Sequence, residues 1–299
     1  MDRRTFSAGL AAALVAAPAI AKPLQRGPSA ALARIEARAG GRLGAWVLDT
    51  GSGCEFGWRG GERFGQCSTF KLSLAACVLA EIDAGRLDGA ELLAYRKADL
   101  LPHSPVTGVH VGEGRMSLIA LAEAAQTTSD NLAANLLLRR IGGPARLTAF
   151  WRGLGDRTSR LDRIEPALNF VPRGEVRDTV TPRGIAHTVA RIVTGEVLGR
   201  ASRARLTGWM IATDTGLARI RGGLPAGWRA GDKTGTSGAE GMDRLVNDIA
   251  VAWPPGRAPL VITGFYQTPG AGPKIRPQDE GVLREVGAVA AGWSADLPK

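Results

Sequence analysis

The sequence predicts an α/β protein in which strand-forming segments at both ends of the chain enclose a helical middle. Strand-like runs occur at 44–49 and 54–59, and again at 228–236, 248–253 and 260–266. Between them, 117–127, 131–141, 144–153 and 183–195 have the apolar spacing of helices. No internal repeat or low-complexity tract breaks this order. Strands from the two ends bury their apolar faces by meeting in one sheet, so the reading is a discontinuous α/β domain with an all-α domain inserted.

The elements follow in order. Arg3-Arg4-Thr5-Phe6 is a twin-arginine pattern, followed by an apolar stretch from Ala8 to Ala17 and a small-x-small site at Ala19-Ile20-Ala21. Residues 1–21 therefore read as an export leader, with a mature chain starting at Lys22 in the periplasm or outside the cell. The apolar run is about a dozen residues against the roughly 20 that span a bilayer, so no stable membrane insertion is expected. A helix is predicted over 28–38. Thr50-Gly51-Ser52-Gly53 is hairpin-turn material between the first two strands. From Ser68 to Asp83 the residues are so uniformly apolar that the helix should be buried on most sides. Residues 158–181 show no period and read as a long structured loop, a feature that in compact domains is usually functional. Gly142-Gly143 and Pro182 punctuate the helices, and a last amphipathic helix covers 279–294.

Composition narrows the function. At 299 residues, with 44% hydrophobic and 22% charged residues, the chain is an ordinary globular protein. Its net charge of +10 suits contact with anionic polymers, including those of a cell envelope. The Lys and Arg residues are scattered and only 5% of the chain is aromatic, which argues against nucleic-acid binding. Cys54, Cys67 and Cys77 are too few for a disulfide framework. On one helix, Cys67 and Cys77 would lie about 15 Å apart along the axis, so no disulfide is expected. His103, His110 and His187 have no metal-ligand spacing, and no C-x-x-C or G-x-S-x-G occurs. No metal or cofactor is expected. An activated serine would draw on a lysine or a carboxylate as its base.

Four short motifs supply those groups. Ser68-Thr69-Phe70-Lys71 opens the most apolar helix, and at i, i+3 the two side chains share one face a turn apart. A lysine beside a buried helix loses hydration and basicity, which suits it to accept a hydroxyl proton. Ser129-Asp130-Asn131 opens a later helix. Glu165-Pro166-Ala167-Leu168-Asn169 lies in the long loop, and Lys233-Thr234-Gly235-Thr236 lies on a C-terminal strand. Each is common alone; all four in this order are not.

With Ser-x-x-Lys, Ser-Asp-Asn and Lys-Thr-Gly together, the chain resembles the class A β-lactamases, a family whose motif set is a known example. Segments LDRIEPALN, DTVTP, LPAGW and GDKTGT extend the resemblance from about residue 28 to the C-terminus. It implies a five-stranded antiparallel sheet flanked by N- and C-terminal helices, with an inserted all-α domain: 22–60 plus 212–299 for the α/β domain and 61–211 for the helical one. It further implies hydrolysis of the β-lactam amide of penicillin- or cephalosporin-type drugs by a monomer.

Residue by residue, the resemblance makes Ser68 the nucleophile and Lys71 its activating partner, and leaves open whether Lys71 or Glu165 takes the first proton. Ser129 would relay a proton to the departing nitrogen. Asn131 would bind the substrate's side-chain amide, and Glu165 with Asn169 would hold the deacylating water. Lys233, Thr234, Gly235 and Thr236 would bind the substrate carboxylate. Arg163 and Asp178 would close the loop's neck, and Asn135 would brace it. Arg219 stands where one branch keeps a carboxylate-steering arginine, with Arg221 next in line; such an arm should be removable without loss of stability. His103 takes the place of a Tyr or Trp in the pocket wall. Cys67 matches a cysteine of carbapenem-hydrolysing relatives, but Ser237 replaces its pairing partner. Two rival readings share parts of this pattern. A penicillin-binding carboxypeptidase or transpeptidase keeps the three serine motifs but has no need of the Glu165 and Asn169 pair. A non-catalytic envelope-binding protein would keep only the fold.

Overall fold

The computed structural model describes residues 27–270, 272 and 274–297. The leader predicted over 1–21 lies outside the described residues. In chain order, α1 (Pro28–Ala39), β1 (Arg42–Asp49), β2 (Glu55–Trp58) and the short β3 (Phe64–Gly65) lead to a 3-10 turn at Cys67–Thr69 that runs into α2 (Phe70–Asp83). The middle holds β4 (Leu92–Ala94), α3 (Pro105–Val109), β5 (Arg115–Ser117), α4 (Leu118–Thr127), α5 (Asn131–Ile141) and α6 (Pro144–Gly153). A loop with a 3-10 turn at Ala167–Asn169 then leads to β6 (Thr179–Val180), α7 (Pro182–Thr194) and α8 (Arg200–Ala212). The chain closes with β7 (Arg229–Ser237), β8 (Arg244–Trp253), β9 (Leu260–Thr268) and α9 (Pro277–Ala295).

The sheet has five strands in the order β2-β1-β9-β8-β7, and every pairing is antiparallel. Strands from both ends of the chain do meet: β1 pairs with β9, Trp46 opposite Thr263. Every residue of β9 is buried, and all but one of β8. Such strands lose the in-out alternation of a half-solvated sheet because both faces are covered. On one face α1 and α9 pack against Leu43, Val47 and Ile262. On the other lies the larger core, in which Phe64, Ile249 and Phe265 join α2, α4, α5 and α7.

Local chemistry sets the helix ends. Asp130 caps α5 by accepting from Ala133 N–H at 2.9 Å, and Thr181 caps α7 with Pro182 in the first turn. α2 is the hub, with eleven of its fourteen residues buried, Lys71 among them. Truncating a leucine there to alanine removes core volume that nothing refills, at about 2–5 kcal/mol.

Beyond the short elements β3 to β6 and α3, which were not anticipated either, three features differ from the sequence reading. α8 was not anticipated: its Gly199 cap offers no side-chain hydrogen bond, and RASRARLTGWMIA has little apolar periodicity. β8 begins four residues before the predicted 248, at Arg244, a charged residue that is nevertheless 7% exposed. Finally, Ser68 sits in the 3-10 turn ahead of α2 rather than at its first position, because Cys67 adopts a positive φ of 47°. All three cysteines are free thiols, with Cys67 and Cys77 buried and Cys54 exposed. Among the described residues no helix is long and apolar enough to cross a membrane.

Candidate active site

The four motifs converge where β7, the start of α2 and the loop before β6 meet. Gly235 makes the approach possible: a Cβ there would stand 2.6 Å from Gln66 carbonyl oxygen and 3.0 Å from Thr69 N. Only hydrogen lets β7 lie against the turn that carries Ser68. β7 is an edge strand, so backbone groups on its outer side have no ladder partner.

Ser68 Oγ lies 2.9 Å from Lys71 Nζ and 3.2 Å from Glu165 Oε1. Lys71 is fully buried, and its Nζ also reaches Ser129 carbonyl oxygen at 2.8 Å, Asn131 Oδ1 at 2.6 Å and Glu165 Oε1 at 3.1 Å. The Asn131 amide is oriented by its other end, since Nδ2 donates to Pro102 carbonyl oxygen at 2.8 Å. Two obligate acceptors, a backbone carbonyl and an amide oxygen, thus take two of the Nζ hydrogens. The third position of the amine faces Ser68 and Glu165. Burial pulls Lys71 below the usual lysine range, and the Glu165 charge opposes that pull.

Ser129 Oγ bridges two lysines, 3.0 Å from Lys233 Nζ and 3.4 Å from Lys71 Nζ. Burial, then the charge of Lys71, brings Lys233 down to about 7. Ser129 has a φ of 60° and His103 a φ of 60°; with Cys67 and Asp178 (φ 55°) they put left-handed backbone at non-glycine residues all around the site. Each costs about 1–2 kcal/mol locally and persists only because surrounding contacts over-determine it. Asp130 supplies such contacts, accepting from Val106 N–H, Thr107 N–H and Thr107 Oγ1 at 2.9–3.0 Å.

The loop residue Glu165 is 2% exposed. Asn135 braces its backbone twice, accepting from Glu165 N–H at 3.0 Å and donating to its carbonyl at 2.8 Å. Asn169 Nδ2 donates to Glu165 Oε2 at 2.5 Å, while Asn169 Oδ1 is buried without a partner among the described residues. Arg163 closes the loop's neck on Asp178 at 2.5 Å. Ser237, noted in the sequence only as a replacement, donates to Asn169 carbonyl oxygen at 2.8 Å and ties β7 to the loop.

A cavity of about 550 Å³ opens over this cluster. Ser68, His103, Ser129, Asn131, Asn169, Arg219, Thr234, Gly235 and Thr236 line it, while Lys71, Glu165 and Lys233 lie beneath its floor. His103 stands in the wall with Nε2 held 2.9 Å from Thr128 carbonyl oxygen. Sequence reading missed Thr215, whose Oγ1 is 2.8 Å from Thr234 Oγ1, and Glu280, which lines the cavity and pairs with Arg219 at 3.2 Å. Neither lies in a motif. It also missed the buried Asp232 of β7 and Asp248 of β8; burial raises both carboxyls, and the neighbouring Asp232 charge adds to the effect on Asp248.

The expectation for Arg219 needs correction. Its guanidinium is 2% exposed and donates to Thr236 Oγ1 at 2.8 Å, Asn247 carbonyl oxygen at 2.7 Å and Gly235 carbonyl oxygen at 3.3 Å. It is a buried strut as well as a cation at the cavity wall. Arg219→Ala is therefore expected to lower the melting temperature by several degrees, because acceptors left unpaired cost about 1–3 kcal/mol in total. It should also lower kcat/KM tenfold to a hundredfold, and unchanged values of both would remove the arginine from the site. Arg221 is no substitute, since it turns under the sheet to Asp232 at 3.1 Å and to Thr213 carbonyl oxygen.

The β-lactamase enzyme family model matches residues 27–293, nearly all of the described chain. The chain belongs to the class A β-lactamase family. It is 46% identical over 259 residues to β-lactamase L2 of Stenotrophomonas maltophilia, covering 86% of this chain and 83% of that protein. It is 44% identical over 239 residues to the carbapenem-hydrolysing β-lactamase KPC of Klebsiella oxytoca, covering 79% and 80%. Among solved structures, a β-lactamase from Burkholderia vietnamiensis superposes with a TM-score of 0.86 at 47% identity, covering 92% of this chain and 98% of that one. A reconstructed ancestral class A β-lactamase gives 0.83 at 48% identity, covering 89% and 99%. This β-lactamase thus shares fold and family with enzymes named for the same activity.

Proposed function

We propose that this β-lactamase opens the β-lactam ring through an acyl-enzyme on Ser68 and clears it with water activated by Glu165. The observation that carries this is one Ser68 oxygen touching both a buried lysine and a buried carboxylate. The substrate carboxylate docks on Lys233, Thr234 and Thr236, with Arg219 acting through Thr236 Oγ1. Asn131 holds the substrate amide and His103 forms a wall. Lys71, its basicity lowered by burial, takes the Ser68 proton as Oγ attacks the ring carbonyl. Backbone N–H groups of Ser68 and Thr236 receive the oxyanion. The proton returns through Ser129 Oγ to the departing ring nitrogen. Glu165 and Asn169, whose Oδ1 is available to a water, then deliver water to the ester, and Glu165 passes the proton back to Ser68.

We further propose the division into 22–60 plus 212–299 and 61–211, export through the twin-arginine leader over 1–21, action as a monomer outside the cytoplasm, and no nucleic-acid partner. Purified enzyme should open penicillin and cephalosporin rings, followed by absorbance. Ser68→Ala should lose a factor on the order of 10⁴ or more in turnover. Equal turnover by that variant would exclude the acyl-enzyme.

Lys233 gives a pH test. Burial, then the nearby charges of Lys71 and Arg219, lowers its basicity, while Asp232 and Glu165 oppose them. Below about 7 the amine is charged and can pair with a substrate carboxylate; above it the free enzyme loses that charge. kcat/KM should therefore fall as pH rises through about 7, and Lys233→Arg, which stays charged, should flatten that limb. An identical alkaline limb in the variant would assign it to another group.

A further inference from the structure

Away from the catalytic cavity, and sharing no lining residue with it, two adjoining hollows concentrate positive charge. The first, about 450 Å³, lies between the chain leaving α6 and the outer face of α7. Arg183, His187 and Arg191 line it and recur every four residues on α7, so they form one stripe with steps of about 6 Å. Arg157 lines this hollow and also the second, about 350 Å³, which continues to Arg63, Arg152 and Arg160.

Carboxylates do not balance this charge. Glu55 pairs with Arg183 at 2.5 Å and His187 at 2.7 Å, and Asp162 is taken by Arg160. Asp156 is buried and spends its oxygens on Thr158 and Ser159. Among the described residues, the Arg63 guanidinium donates only to Thr158 carbonyl oxygen and Thr179 Oγ1, and that of Arg152 to Asp156 carbonyl oxygen. The guanidinium groups of Arg157 and Arg191 have no hydrogen-bonded or ionic partner among the described residues, and both residues are exposed. Four guanidinium groups without a carboxylate therefore share one concave surface, where low-dielectric walls strengthen their field.

Planar guanidinium forks match phosphate oxygens two at a time, and several forks around linked hollows suit an anion with more than one phosphate. The lining carries no Phe, Tyr or Trp side chain to give a nucleobase a broad stacking face. None of the large exposed apolar residues lies there either, as a membrane-facing patch would need. We infer that these linked hollows bind a soluble multivalent phosphate anion, of the size of a short oligophosphate.

The test is calorimetric titration of the enzyme with sodium tripolyphosphate at low ionic strength. Saturable binding is expected with a Kd below about 1 mM, weakening at least severalfold when salt is raised. Arg157→Gln with Arg191→Gln should weaken it at least about tenfold, the loss of two charge-assisted contacts. Arg34→Gln with Arg139→Gln removes the same charge from exposed positions elsewhere, and binding should change less than about twofold. β-lactam turnover and melting temperature should stay near those of the unaltered enzyme in all four single and both double variants, which separates this site from the catalytic reading. Equal weakening by the two doubles would reduce the effect to net charge and overturn the site. So would the absence of saturable tripolyphosphate binding, or binding confined to phosphatidylglycerol vesicles.

Discussion

Mixed with a good penicillin, the Glu165→Gln variant is expected to hold the whole drug as a stable covalent adduct. The substitution keeps the shape of the side chain and removes its basicity. Its amide can still accept from Lys71, and Asn169 can turn its unpartnered Oδ1 toward the new amide N–H. The backbone brace from Asn135 does not involve the carboxylate and should survive. Acylation needs Ser68 and a proton acceptor, and Lys71 at 2.9 Å remains one. Deacylation needs an activated water, and Glu165 is the base that would supply it. Turnover should fall by a factor on the order of 10³ or more, within the 10²–10⁴ or so of a single acid–base group and its positioning. Intact-mass measurement should show the adduct, and Ser68→Ala in the same background should abolish it. Near-normal turnover by Glu165→Gln would sink the deacylation role. An unaltered enzyme that itself stays acylated for minutes would instead mark a penicillin-binding peptidase.

Much of this candidate site was legible because the residues that converge on its cavity sit in contiguous motifs. Ser68 and Lys71 are neighbours by helical spacing, and Ser129 to Asn131 and Lys233 to Thr236 are continuous runs. Their convergence rests on tertiary facts that spacing does not encode, such as Gly235 admitting β7 to within contact of Gln66 and Thr69. What stayed hidden acts singly from distant elements. Glu280 on α9 reaches Arg219 across 61 positions, and Thr215 reaches Thr234 from an irregular segment. Arg219 shows the same limit: its position was legible, but its role as a strut between Gly235, Asn247 and Glu280 depends on burial. In the fold, β9 with its apolar run and capped α5 and α7 announced themselves. Uncapped α8, and β8 with its buried arginine at the start, did not. Propensity fails where tertiary contacts satisfy a charge that local sequence would place in water.

The remaining question of which group first deprotonates Ser68 has an expected answer in Lys71→Met placed on the Glu165→Gln background. Methionine fills nearly the same unbranched volume without the amine, and it spares the fold the burial of a cation. It also leaves Ser129 carbonyl oxygen and Asn131 Oδ1 without their donor, so some stability should be lost. The decisive readout is the rate at which the Ser68 adduct appears, since neither variant clears it. With Lys71 as acylation base, that rate should drop by about 10²–10⁴ relative to Glu165→Gln alone. A second signature follows from the charge between the two groups. The Glu165 carboxylate holds the Lys71 proton on and burial pushes it off, so removing the carboxylate should leave more neutral amine at a given pH. Adduct formation by Glu165→Gln should accordingly persist to lower pH than acylation by the unaltered enzyme. Adduct formation by the double variant as fast as by Glu165→Gln would take the first proton transfer away from Lys71.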